Sequence, residues 1–343
     1  PLETPDGGNI GLHKALSIST YVSRGKRPRE SMIKWLRENI SMKYLEECGP
    51  KLLSNMTKII INGYWAGAIF NPIECVEKMR LYRRNALLPI DTSITFEIKS
   101  NTIHIYNDAG RLCRPIFYKD FLTNKLSIEN SNIKTLIKDD DFSWNDLVTG
   151  FNEKKIENFD RNHNNIYELF ELYDGVKTET NPKKLERFIA KKAILDYIDC
   201  SESEDALIAL NYDDFSKGNY THMEINESLI LGILGNQVIF PENNQAPRNM
   251  FSCGQTKQVC SIYHSNYQLR MDKSAMILHY GQIPLVKSRY LEYFNKEEMP
   301  YGENTIVAIM CYGGYNMEDS VLINEGALPV SYTHLTLPTI GCV

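Results

Sequence analysis

An Asn-Gly pair set between two apolar runs constrains this chain more than any other short feature. Ile59-Ile60-Ile61 precedes Asn62-Gly63, and Tyr64-Trp65 follows. β-Branched and aromatic residues favour strands, and Asn-Gly supplies the positive φ angles of a two-residue hairpin turn. The spacing predicts strand, turn, strand over 59–65. Asn71-Pro72 comes next, an N-cap with Pro at the first helical position, and predicts a helix to about Arg84. Glu74 and Glu77 are placed there to pair with Lys78 and Arg80. A second hairpin is expected within 94–118, turning at Lys99 to Thr102, because Phe96/Ile98 and Ile103/Ile105 alternate with polar neighbours. Ile33, Leu36, Ile40 and Tyr44 mark the apolar face of an earlier helix, from about Glu30 to Glu47. Leu185, Phe188, Ile189, Ile194 and Leu195 suggest another amphipathic helix after Asn181-Pro182. Helices interleaved with hairpins make this an α+β chain.

The 343 residues suffice for several domains. The chain opens on Pro1-Leu2-Glu3-Thr4-Pro5 without an initiator Met, which reads as the interior of a longer protein. No apolar run approaches the roughly 20 residues of a membrane-spanning helix, so no membrane partner is expected. Residues 1–119 hold 18 Lys+Arg against 11 Asp+Glu, whereas 120–215 hold 12 against 21. That division excludes a uniformly basic nucleic-acid coat, and the acidic middle should face away from phosphates. The eight cysteines include no CxxC or CxxH pair, so no zinc is expected and reduced, buried thiols are the default. Asp139-Asp140-Asp141 reads as a solvated acidic loop, because adjacent carboxylates point apart in helix or strand. No P-loop, dinucleotide fingerprint, HExxH or nucleophile elbow occurs.

Two clusters carry chemistry. Asn243-Asn244-Gln245-Ala246-Pro247-Arg248-Asn249 surrounds one Arg with amides. An Arg forks phosphate oxygens and amides read ribose or base edges, although a polar surface loop has the same composition. Glu318-Asp319 follows Gly313-Gly314 and an apolar run, Thr305 to Met310, that reads as a strand. Such carboxylates could stand near a metal-bound phosphate, or form a solvated turn.

Five motifs run in one order, Glu3 to Leu12, Asn107 to Pro115, His222 to Gly232, Asn243 to Asn249 and Ile306 to Ser320, and together they resemble the second-largest, β-type subunit of multisubunit DNA-dependent RNA polymerases. Glu3-Thr4-Pro5-Asp6-Gly7-Gly8-Asn9-Ile10-Gly11-Leu12 resembles its ETPEGxNIGL element, and Asn107 to Pro115 its TDAGRxxRP segment. His222-Met223-Glu224-Ile225 with Leu231-Gly232 is similar to HxEIxPxxxLG, and Asn243 to Asn249 to HNQSPRN. Ile306 to Ile309 with Gly314 to Ser320 is similar to NxIVAIxxxxGYNxEDS. The amide motif is closest to the archaeal, eukaryotic and large-DNA-virus branch.

The resemblance implies an internal fragment: the end of the fork at 1–25, a first external domain at 26–110 and a second at 111–216. The start of a double-psi, β-rich hybrid-binding domain would occupy 217–328. Ser331 to Pro338 resembles a translated sequencing adapter, so 329–343 is expected to be a non-native tail. The implied activity is template-directed RNA synthesis from DNA, with no catalytic residue of its own in this fragment. The main catalytic aspartates belong to the largest subunit in that family, and no Asp-x-Asp-Gly-Asp-like run occurs here. Arg248, with Gln245, would bind the nucleotide, Arg248 at the triphosphate. Lys257 and Gln258 would lie along the RNA near its growing end, and Asn9 would help wall the RNA path. Glu318 and Asp319 would stand beside a second Mg²⁺, shared with the largest subunit. Implied partners are the largest subunit, smaller assembly subunits, DNA template, RNA transcript and nucleoside triphosphates. Two positions depart from the family pattern: Phe251 stands where Tyr is frequent, and Asp6 where Glu is usual. A non-catalytic nucleic-acid-binding scaffold of the same fold is the alternative.

Overall fold

A computed structural model describes residues 3–5, 7–24, 29–85, 88–120, 123–129, 144–149, 193–294 and 297–326. The Asp139 to Asp141 run, the expected helix after Asn181-Pro182 as far as residue 192, and the 329–343 tail lie outside them. Two compact units divide the chain: residues 19–229, and residues 1–18 together with 230–343.

In the first unit the elements run β1 (Tyr21–Val22), α1 (Arg29–Ile40), α2 (Pro50–Leu53), β2 (Thr57–Ile61), β3 (Tyr64–Ile69) and α3 (Pro72–Arg84). β4 (Ser93–Glu97), β5 (Thr102–Tyr106), β6 (Leu112–Tyr118), α4 (Trp144–Thr149), β7 (Leu195–Asp199) and α5 (Cys200–Glu204) follow. β8 (Ile208–Ala209), α6 (Tyr212–Lys217) and β9 (His222–Met223) complete it.

The first hairpin forms as expected. Asn62 (φ 48°) and Gly63 (φ 79°) both occupy the left-handed region, which matches the twist of the flanking strands. Asn62 also binds outside the hairpin: its Oδ1 accepts the Asn107 backbone N–H at 2.9 Å and its Nδ2 donates to Asn107 Oδ1 at 2.6 Å. The sheet order is β3-β2-β5-β4, with β2 and β5 parallel and the other pairs antiparallel. α1 and α3 supply Met32, Trp35, Leu36, Cys75, Val76 and Met79 to a core completed by Ile59, Ile61, Ile94, Ile103 and Ile105. α1 stops at Ile40, short of the expected Glu47. Ser41 turns left-handed (φ 58°), and Lys43 then exchanges two backbone hydrogen bonds with Ala68. That crossing leaves no room for a side chain at Gly67, where a Cβ would run into the Lys43 carbonyl.

The second hairpin is only β4 and β5. β6 leaves it to become the centre of another sheet, pairing with β1, β7 and β9. Leu195, expected at the end of a helix, instead begins β7.

The pairs expected along α3 also rearrange. Lys78 Nζ donates to the Asn39 carbonyl, and Glu74 accepts from the Asn71 amide. Arg80 pairs with Glu202 at 3.5 Å. Arg83 makes a bidentate pair with Glu202, and Arg84 binds Asp196 at 2.7 Å while lying 3.5 Å over the Tyr118 ring. Part of the acidic stretch therefore turns inward onto arginines of the basic stretch. A buried charge needs a partner, and these arginines sit on the helix face that meets β7 and α5.

Candidate nucleotide- and RNA-contacting site

Four of the seven residues singled out from sequence belong to one helix, α7 (Ala246–Thr256), and its ends. Gln245 is its N-cap, Pro247 lies in its first turn, and Arg248 follows. Lys257 is the C-cap, and the Gln258 N–H bonds to the Gln255 carbonyl. The polar loop expected around Arg248 is thus the start of a helix. The amide cluster hid it, because Asn and Gln compete with the backbone for hydrogen bonds. Asn249 and Cys253, four apart, are the buried face, and Asn249 Nδ2 donates to the Pro241 carbonyl at 2.9 Å. Burial, with the Glu3 carboxylate nearby, pushes the Cys253 thiol up to about 11.

Arg248, Lys257 and Gln258 are exposed. The Arg248 guanidinium stands 5.7 Å from the centre of the Phe251 ring, within cation–π range. A helix N-terminus carries partial positive charge, and an Arg in its first turn adds to it, so this end suits an anion. At 1.5 Å per residue, Arg248 and Lys257 lie about 14 Å apart along the axis.

Asn9 sits in the exposed turn between Gly7 (φ 90°) and Gly11 (φ 78°), where its carbonyl accepts the Leu12 N–H and Thr4 Oγ1 accepts the Gly11 N–H. Glu318 and Asp319 occupy a turn closed by the Ser320 N–H on the Met317 carbonyl at 3.2 Å. Both are left-handed, at φ 48° and 68°, rare for residues with a Cβ. Gly313 and Gly314 share that handedness. Asn316 ties the loop, accepting from the Tyr312 N–H and donating to the Met310 carbonyl. Both carboxylates are exposed, and among the described residues neither forms an ion pair. No three His, Cys, Asp or Glu side chains cluster as a metal site among the described residues. Thr305 to Met310, expected as a strand, is assigned none, and Ile306, Val307 and Ile309 are exposed. A strand requires a ladder partner, and none of the described segments supplies one.

The motifs that carried the resemblance fall into two kinds. Asn107 to Pro115 and His222 to Ile225 are structural and meet each other. Arg114 pairs with buried Glu224, and Arg111 reaches Asp199 at 3.3 Å and the Asp91 carbonyl at 2.7 Å. Ser23 closes this region: its hydroxyl donates to the Asp108 carbonyl and accepts the Arg111 N–H, both at 2.9 Å. Nothing near Ser23 in the sequence signals that role. The other motifs carry the exposed residues described above.

Residues 59–120 match the family model of RNA polymerase Rpb2, domain 4, and residues 234–336 match that of RNA polymerase Rpb2, domain 6. Over 96% of its length the chain is 35% identical to DNA-directed RNA polymerase II subunit RPB2 of Schizosaccharomyces pombe. The chain belongs to the RNA polymerase second-subunit family. It is 31% identical, over 96% of its length, to subunit Rpo2 of Sulfolobus acidocaldarius. Against DNA-directed RNA polymerase subunit 2 of Acanthamoeba polyphaga mimivirus it is 34% identical over 97%. These relatives span the branch that the amide motif resembles. The chain spans about a quarter of their length: 27%, 26% and 26% respectively.

Proposed function

We propose that this chain is the part of a DNA-directed RNA polymerase second subunit that lines the active site and the path of the RNA–DNA hybrid. One observation carries the reading: α7 presents Arg248 at its electropositive start and Lys257-Gln258 at its end, all open to a ligand. Arg248 binds the triphosphate of the incoming nucleotide, with Gln245 beside it. Lys257 and Gln258 follow the RNA near its growing end, and Asn9 walls its path. The largest subunit, smaller assembly subunits, DNA template and RNA transcript are the partners.

Glu318 and Asp319 fit a Mg²⁺ ion that the nucleotide brings. Two exposed carboxylates in one turn are too few for a protein cage, but Mg²⁺ keeps waters and binds through one or two carboxylates plus phosphates. The ion supplies charge stabilisation to the phosphates during transfer. These carboxylates tune its occupancy, and the largest subunit provides the main metal site.

Single-nucleotide addition by the reconstituted polymerase tests this. Arg248→Ala should slow addition at subsaturating nucleotide by about 10- to 150-fold, the value of a charge-assisted hydrogen bond, with subunit assembly unchanged. Unchanged addition would refute the nucleotide role.

A further inference from the structure

We infer that Glu3 is a positioning residue, whose carboxylate latches the segment carrying Asn9 onto the turn that leads toward α7. The inference rests on the polymerase reading above and deepens it. Glu3 Oε1 accepts the backbone N–H of Gly235. Gly232 passes against the same carboxylate: a Cβ there would run into Glu3 Oε2 and stand 2.7 Å from the Leu16 carbonyl oxygen. Ile18, in the same N-terminal segment, donates its N–H to the Leu231 carbonyl at 2.8 Å. Three points of that segment, Glu3, Leu16 and Ile18, therefore grip the five residues from Leu231 to Gly235.

The turn is held rigidly on its other side. Asn236 is buried, and its Nδ2 donates to the carbonyls of Leu231 and Gly232 at 3.1 and 2.9 Å. Gln237 receives the Tyr301 hydroxyl at 3.2 Å. Glu3 also lies close enough to Cys253, on the buried face of α7, to act on its thiol. The glycine at 232 is required by close approach, since any side chain would expel the carboxylate. Asn9 is only six residues beyond Glu3, so the latch sets where the wall of the RNA path stands relative to α7.

The test uses the reconstituted polymerase with Glu3→Ala, Glu3→Gln, Gly232→Ala and the Glu3→Ala/Gly232→Ala pair, beside Arg248→Ala. Glu3→Ala and Gly232→Ala should each lower kcat for nucleotide addition by about tenfold, the loss of one charge-assisted hydrogen bond, with KM for the nucleotide unchanged. The pair should be no worse than Gly232→Ala alone, because that change already breaks the Glu3 contact and its clash with the Leu16 carbonyl is common to both. Glu3→Gln keeps an oxygen for the Gly235 N–H and should restore most of the rate. Hydrogen exchange at the Gly235 amide in the assembled enzyme should be fast in Glu3→Ala and slow in Glu3→Gln, which reads the latch independently of rate. Additive effects of the pair, or an equally protected Gly235 amide in Glu3→Ala, would overturn the latch. A normal rate in Glu3→Ala beside a slow Arg248→Ala would overturn it too. A normal rate in Arg248→Ala would overturn the nucleotide reading instead.

Discussion

Arg83 and Glu202, 119 residues apart in the chain, meet in a bidentate ion pair at 2.7 and 3.0 Å with both side chains almost wholly out of solvent. Arg83 also donates to the Thr92 carbonyl at 2.8 Å, and Glu202 is fixed by its own N–H on Asp199 Oδ1 at 2.8 Å. The pair ties α3, which covers one sheet, to α5, which follows β7 of the other. Removing Glu202 leaves buried Arg83 with only Asp196, at 3.4 Å, as an ion-pair partner among the described residues, so the cost is bounded by the about 3–5 kcal/mol of a broken buried pair. Glu202→Ala should lower unfolding free energy by up to that amount in denaturant titration. Glu202→Gln, which keeps an acceptor, should cost less.

Acid should unfold this region in two stages. Burial pushes the His222 imidazole down to about 4, against the pull of Asp196 and Glu202. Burial raises the Asp196 carboxyl, but Arg84 and Arg83 outweigh it and hold the group well below the usual carboxylate range. The unfolded chain protonates His222 first, near pH 6.5, so its contribution drains away as pH falls from about 6.5 to about 4. The Asp196 contribution is complete above about pH 4 and is lost only below it. Unfolding free energy followed from pH 7 to pH 3 should show both slopes, and His222→Asn should abolish the first alone.

The Asn62 turn offers a local test. Asn62→Ala removes two hydrogen bonds to Asn107 and places a Cβ residue without polar compensation at positive φ. A loss of about 2 kcal/mol is expected, one part from the bonds and one from the backbone. Asn62→Gly should lose only the hydrogen-bond part, and comparing the two midpoints separates them.

At Glu318 and Asp319 stability and activity should move in opposite directions. Asp319→Gly relieves the left-handed backbone, so folding stability should hold steady or rise by up to about 1 kcal/mol. Nucleotide addition by the assembled enzyme should nonetheless slow, as with Glu318→Ala, and higher Mg²⁺ should recover part of it. A purely structural turn predicts unchanged elongation and unchanged Mg²⁺ dependence.

The isolated chain should make no RNA when supplied with template, Mg²⁺ and all four nucleotides. It should also aggregate. Leu285, Val286, Ile306 and Ile309 are among its exposed apolar side chains, and such surfaces associate unless covered. Light scattering against concentration checks the second expectation.

Local chemistry made much of this protein legible before any coordinates. The Asn62-Gly63 hairpin and the span of α3 follow from residues a few positions apart, because turn geometry and helix starts are decided by φ preferences and missing N–H groups. Family membership was legible for the same reason: its motifs are short and keep their order. Pairing over distance was not. Nothing on α3 reveals that Arg80, Arg83 and Arg84 face Glu202 and Asp196 in preference to nearby Glu74 and Glu77. Which charges are desolvated depends on which faces meet, and only packing sets that. β6 was read as part of a hairpin because its alternation suits either sheet; tertiary contacts gave it three other neighbours. The start of α7 was masked by amides that suit loops equally well. The left-handed turn at Glu318-Asp319 was not legible either, since Glu and Asp ordinarily prefer negative φ and here a loop closed by Asn316 and Ser320 holds both against that preference.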